Sequence, residues 1–168
     1  ASLDNVFELL SMSGHSAPLT KLMLIPDAWS KKSKILPKNQ LKLFNFLNST
    51  MEPWDGPAAL AGTDNEWVIA ASDRNGLRPL RFTITRDKLL FAGSETGMVD
   101  LNEKKIIRKG RLGPGEIIGV RIEKGKVFTN SQIKDYLAKE YKHFNNQIID
   151  LDKKFPIEKE NNNYEGAE

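Results

Sequence analysis

Apolar residues recur at intervals of three and four through the first third of the chain, and after that in short runs broken by turn signals. Leu3, Val6, Phe7 and Leu10 fall on one face of a helix that Gly14 stops in the manner of a C-cap. Pro18 suits the first turn of a second short helix through Leu19, Leu22, Met23 and Ile25, closed by Pro26. Leu41, Phe44, Leu47 and Met51 predict a third helix from Pro37, with Lys38 and Lys42 outside, and AWSKKSKILP between these helices reads as a basic loop. Beyond MEPWDGP the spacing becomes β-like. AALAGT and EWVIAAS flank the turn TDN; LRFTIT and KLLFAGS flank RD; KKIIRKG is a short strand ending at Gly110; EIIGVRI and KVFTN flank EKG. A last amphipathic helix is predicted over SQIKDYLAKEYKHF, with Ser131 as N-cap and Ile133, Tyr136, Leu137, Tyr141 and Phe144 as its apolar side.

Helices, then about six or seven strands joined by hairpins, then a helix, predict an α+β layered domain with antiparallel sheets, because links this short do not suit parallel pairing. The 168 residues, 39% hydrophobic and 28% charged, suffice for one domain with a real core. A net charge of +3 on 25 basic and 22 acidic residues leaves only a small basic excess, which does not by itself call for nucleic acid. The absence of cysteine removes disulfides, thiolate metal sites and a cysteine nucleophile from this chain, and fits a cytoplasmic location. No apolar run reaches the length of a membrane span. The first residue is Ala and helical periodicity starts at once, so the chain is expected to come from something longer; the polar stretch 152–168 is expected to be a linker or the start of a next domain.

Candidate chemistry is sparse. His15 and His143 lie far apart in the chain with no spacing for a shared metal, and each is expected to be structural. RKGRLGPGE holds three glycines and two arginines but matches no phosphate-loop pattern; Pro114-Gly115 predicts a type II turn between strands. Glu52 and Asp55, with Trp54 among prolines, form a carboxylate pair that suits acid and base work or, on residue chemistry alone, a rigid connection. Glu95 ends a strand, where a side chain projects into a cleft at the sheet edge or simply belongs to a turn. In DRNGLRP, Asp73 is expected to cap a turn by accepting N–H groups two residues on, and Asn75-Gly76 to take the positive φ. Pro79 is expected to start the next strand at Arg78. Arg74 and Arg78 are placed to pair with Asp73 and pin the corner, with anion binding as the other reading.

Taken together, KLMLIPDAW, MEPWDGPAALAGTD, ASDRNGLRPLRFTIT, LLFAGSETGMVDL and IIRKGRLGPGEIIGV resemble, in this order and spacing, the C-terminal portion of the glutaminase domain of glutamate synthase large subunits. These are class II glutamine amidotransferases, and the likeness runs from Ala1 to about residue 151. It departs at GSET, where Gly93 stands for the alanine of the wider superfamily's A-S-E; a small residue is kept. The resemblance implies part of an N-terminal-nucleophile hydrolase αββα sandwich. It implies hydrolysis of the glutamine side-chain amide by an N-terminal cysteine whose own amine is the base, aided by an oxyanion Asn-Gly. None of those groups is in this chain, and Asn75-Gly76 is not the oxyanion pair. Glu52, Trp54, Asp55, Asp73, Arg74, Asn75, Gly76, Arg78 and Glu95 are therefore read as structural or cleft-wall residues. The implied partners are glutamine and the remaining glutamate synthase domains, which would carry FMN and an iron-sulfur cluster, with ferredoxin or a nicotinamide cofactor as electron donor. Two other readings stay open. One is another class II amidotransferase; the other is a non-catalytic module with a basic face from Lys31, Lys32, Lys34 and Lys38 through Lys104, Lys105, Arg108, Lys109 and Arg111.

Overall fold

The computed structural model describes residues 2–27, 36–143 and 154. Helix α1, Ser2–Met12, ends as its apolar spacing predicts. Gly14 takes φ 95°, its N–H reaches Ser11 O at 3.1 Å and the His15 N–H reaches Leu10 O at 3.1 Å, which is the pair of bonds of a Schellman motif. His15 adds its ring to that ending, with Nδ1 3.0 Å from Ser13 Oγ.

Helix α2, Ala17–Leu24, is buried along its whole length. Ser16 stands at its N-cap without capping it through its side chain. The Ala17 N–H donates instead to a carboxylate oxygen of Asp64, in the turn between the first two strands. The other oxygen of Asp64 accepts from Glu66 and Trp67 N–H, each at 2.6 Å, so one side chain closes a hairpin and caps a helix.

Helix α3, Lys38–Thr50, buries Gln40, Leu43, Phe44 and Leu47. The buried stripe is rotated from the one the spacing predicts: Leu43 is inside, while Leu41 and Met51 are half-buried. The cause is Gln40, whose Nε2 donates to Asp135 Oδ1 at 2.8 Å on the last helix and so turns a polar residue inward. Residues 28–35 of the basic loop expected over 28–37, Phe144 and the stretch 152–168 fall outside the described residues, apart from Lys154.

Seven strands form two antiparallel sheets. β1 Ala59–Thr63, β2 Trp67–Ser72, β6 Ile117–Arg121 and β7 Lys126–Phe128 lie in that order in the first. β4 Leu90–Gly93, β3 Leu80–Thr85 and β5 Ile106–Leu112 form the second. The hairpins β1-β2, β3-β4 and β6-β7 pair as expected. β5 runs past Gly110 to Leu112, and Lys104 and Lys105 sit in a single 3₁₀ turn before it. β3 begins at Leu80, two residues later than Pro79 implied. The β3-β4 turn places Lys88 at φ 62°, a left-handed position with no Gly or Asn to announce it.

Helix α4, Asn130–Glu140, is capped by Thr129, not Ser131: the Thr129 side chain accepts from the N3 backbone while Gln132 Oε1 accepts the Thr129 N–H at 3.0 Å. Ile133 and Leu137 are fully buried, and Tyr136 and Tyr141 pack at the margin of the core.

The helices cover one face of the four-stranded sheet and the three-stranded sheet covers the other. Trp67, Ile69, Ala71 and Ile117 point to the helices, where they meet Leu22, Phe44, Leu47, Ile133 and Leu137. Ala70 and Ile118 point the opposite way, onto Leu80, Phe82 and Leu112. This is why β2 reads as an unbroken apolar run: apart from Val68 at its start, which is exposed, both its faces are covered. The α+β fold with two packed antiparallel sheets agrees with expectation, and the described residues supply three layers. On the uncovered face of the second sheet, Arg81 stands opposite Arg111 and Thr83 opposite Lys109, beneath the 95–101 loop, around a cavity of about 830 Å³.

Asp64→Ala removes an acceptor from three N–H groups on two elements. It is expected to lower unfolding free energy by about 1–2 kcal/mol. Chemical denaturation checks this, and an unchanged midpoint would refute the shared-cap role.

Candidate functional site

The turn after β2 is built around one carboxylate. Asp73 is 1% exposed, and its two oxygens accept four backbone N–H groups: Asn75 and Leu77, each at 3.0 Å, on Oδ1, and Arg78 at 3.0 Å and Ala58 at 3.2 Å on Oδ2. The bond to Asn75 is the one expected of an Asx turn. The ion pair expected with Arg74 and Arg78 is not formed; the carboxylate's lone pairs are already taken by the backbone, and Arg78 is exposed. Gly76 takes φ 65° and its N–H closes the turn on Asp73 O at 3.1 Å.

Three sequence segments meet here. From MEPWDGPA, Asp55 Oδ1 lies 3.5 Å from Asn75 Nδ2, and Ala58 gives its N–H to Asp73 and takes the Asp73 N–H at 3.1 Å. Trp54 N–H reaches Leu24 O at 2.7 Å, which fastens the same connection to α2. From RLGPGE, Gly115 N–H donates to Asp73 O at 2.8 Å. The turn Gly113–Glu116 has Gly115 at φ 67° and a Glu116 N–H to Gly113 O bond of 3.1 Å, a type II turn as predicted. A side chain at Gly76 would stand 3.0–3.1 Å from Pro114, so the two turns touch, and a substitution there would be both crowded and strained at φ 65°.

The structure thus brings Asp55, Asp73, Arg74, Asn75, Gly76 and Arg78 to one corner, with Trp54 held beside it and Glu52 exposed at the end of α3. Glu95 lines the cavity over the second sheet, apart from the corner. Burial pushes the Asp73 carboxyl up, but the four N–H groups outweigh it and hold the carboxyl below its usual range. A carboxylate so saturated is a poor proton acceptor near neutral pH. The corner is therefore a rigid turn that holds Asn75 and Arg78 exposed on its outside.

Beneath the corner lies a charged cluster that inspection of the sequence passed over. Lys21 on α2 is 1% exposed and donates from Nζ to Gly115 O at 2.7 Å. Asp27 pairs through Oδ2 with Lys134 Nζ of α4, which also lies 5.7 Å from the centre of the Phe44 ring. The signal was present: a single lysine inside the otherwise uncharged run APLTKLML has to be buried if that helix is covered all round. Among the described residues, no group of three or more His, Asp or Glu is placed to hold a metal ion, and no helix is long and apolar enough to cross a membrane. Two members of the basic face are partnered, Lys105 with Asp87 at 2.9 Å and Lys109 with Glu103 at 3.1 Å.

Residues 1–146 match the family described as glutamine amidotransferases class-II, and the chain belongs to that family. It is 53% identical over 137 residues to the glutamate synthase [NADPH] large chain of Azospirillum brasilense, covering 82% of this chain and 9% of that one. It is 36% identical over 139 residues to the namesake in Bacillus subtilis, covering 83% of this chain and 9% of that one. It is 40% identical over 141 residues to ferredoxin-dependent glutamate synthase 2 of Synechocystis, again 83% of this chain and 9% of the relative. The chain therefore spans about 9% of the length of these relatives.

Asp73→Ala leaves four backbone donors without their acceptor and is expected to cost about 2–4 kcal/mol of stability. Because folding holds this carboxyl below its ordinary value of 3.8, its contribution is present above that pH and is lost as pH falls through the lower folded value. Acid unfolding curves check this: the variant should lack that part of the acid limb, and superimposable limbs would refute it.

Proposed function

We propose that this chain is the C-terminal portion, residues 1–151, of the glutaminase domain of a glutamate synthase large chain, and that residues 152–168 lead toward the next domain. In this reading the full polypeptide hydrolyses the glutamine side-chain amide in the cytoplasm and passes the ammonia to 2-oxoglutarate for reduction to glutamate. The observation that supports it most is the convergence of MEPWDGPA, DRNGLRP and RLGPGE, the segments that carry the likeness, on the single residue Asp73, the first two through its carboxylate and the third through its backbone carbonyl.

The corner serves as a wall of the glutamine site. The Asp55-Asn75 contact and the arginines Arg74 and Arg78 shape that wall, while the reacting groups come from the rest of the polypeptide. Glu52, Trp54 and Glu95 border it or lie near it in the complete domain. FMN and the iron-sulfur cluster belong to other segments in this proposal: such clusters are held by cysteine thiolates, and this chain has none. The relatives include both NADPH and ferredoxin-dependent enzymes, so the family leaves the electron donor open.

The test is expression of the complete reading frame and measurement of glutamate released from glutamine. Release is expected, and is expected to vanish when the cysteine implied at the mature N-terminus is replaced by alanine. The 168 residues alone should release none. Turnover by this cysteine-free chain would overturn the proposal. In the complete protein Asp73→Ala should lower the melting temperature more than it changes the chemical step; a selective loss of turnover with normal melting would give the carboxylate a reacting role.

A further inference from the structure

Lys21 is hard to explain as a stabilising residue. Taking an ammonium group out of water costs several kcal/mol, and an apolar side chain of similar length would fill the same space between α2 and the sheet. Burial drives the Lys21 pKa down to about 8. Asp27 pulls it up, Lys134 adds to the lowering, and Asp73 pulls weakly the other way. A base held below its unfolded value of 10.5 makes the fold less stable while it stays charged, so stability should rise with pH between about 8 and 10.5. What the ammonium supplies that a methionine cannot is a directed donor, and it is aimed at the Gly115 carbonyl, 2.7 Å away.

The opposite side of Gly115 is gripped as well. A side chain there would stand 2.8 Å from Asp27 Oδ1 and 3.0 Å from Asp27 Cα. Asp27 is itself fixed by Lys134 of α4, and its Oδ1 is buried with no hydrogen-bond partner. The turn is thus held between a cation from one helix and an anion anchored to another. Gly115 N–H then carries that placement to Asp73 O, and Pro114 carries it to Gly76.

We propose that Lys21 is a positioning residue: its buried ammonium fixes the Pro114-Gly115 turn and, through it, the Asp73–Arg78 corner, so that Arg74 and Asn75 are presented in one geometry. Its consequence for glutamine rests on the reading of the corner as a wall of that site; the mechanical coupling does not.

Lys21→Met and Gly115→Ala, made in the full-length polypeptide, test the coupling from its two sides by hydrogen-deuterium exchange. In both, peptides spanning 73–80 and 113–117 should exchange about tenfold faster, as expected for one lost hydrogen bond in a local opening, while the α4 peptide 131–138 stays as protected as in the parent. In Lys21→Met the KM for glutamine should rise several-fold with kcat little changed. Unchanged exchange at the corner in both variants would overturn the proposal. Loss of protection throughout Lys21→Met would also overturn it, by making the lysine a stability residue. A loosened corner with unaltered glutamine kinetics would support the clamp and sink the wall reading instead.

Discussion

The carboxylate of Asp73 organises the centre of this chain. Four N–H groups from residues 58, 75, 77 and 78 end on its two oxygens, in a place water does not reach. An aspartate there is both the acceptor those donors need and the reason the chain can turn so sharply between the two sheets. β2 belongs to the four-stranded sheet and β3 to the three-stranded one, so this corner is where the polypeptide passes between layers. The sandwich and the corner are one constraint: if the turn opened, the register of Leu80 and Phe82 against Ala70 and Ile118 would have no fixed start.

Around that carboxylate the structure spends conformational freedom where function would need rigidity. Gly76 and Gly115 take left-handed backbone in two touching turns, where an added carbon would crowd Pro114 at the first and Asp27 at the second. The helix layer reaches into the same place through Lys21, Asp27 and Lys134. A donor-saturated carboxylate and a buried lysine do not perform proton chemistry here so much as hold a surface still. That rigidity is what the proposed role of the corner as a wall of a glutamine site requires.

Much of the architecture was legible because local rules and tertiary packing agree. The three hairpins, the glycine ending of α1, the type II turn at Pro114-Gly115 and the helical spacing of α1 follow from side-chain periodicity and turn chemistry alone. The misreadings have two causes, a partner distant in sequence and a local competitor for the same group. Gln40 faces inward because Asp135 is there, which rotates α3 by one position; Arg74 and Arg78 do not pair with Asp73 because backbone N–H groups arrive first. Thr129 and Gln132 together make a better cap than Ser131, since each satisfies a donor of the other.

The sequence by itself determined most of the elements, the pairing of the three hairpins and the likeness to a glutaminase domain, because each depends on residues within a few positions of one another or on a linear pattern of motifs. Tertiary structure alone decided that MEPWDGPA, DRNGLRP and RLGPGE meet at Asp73, that Asp64 caps a helix 47 residues earlier, and that Lys21 ends on the Gly115 carbonyl 94 residues away. Such contacts leave no periodic trace. A hydrogen bond between distant residues needs only one donor and one acceptor brought together, and which of many candidates meet is set by how the layers stack.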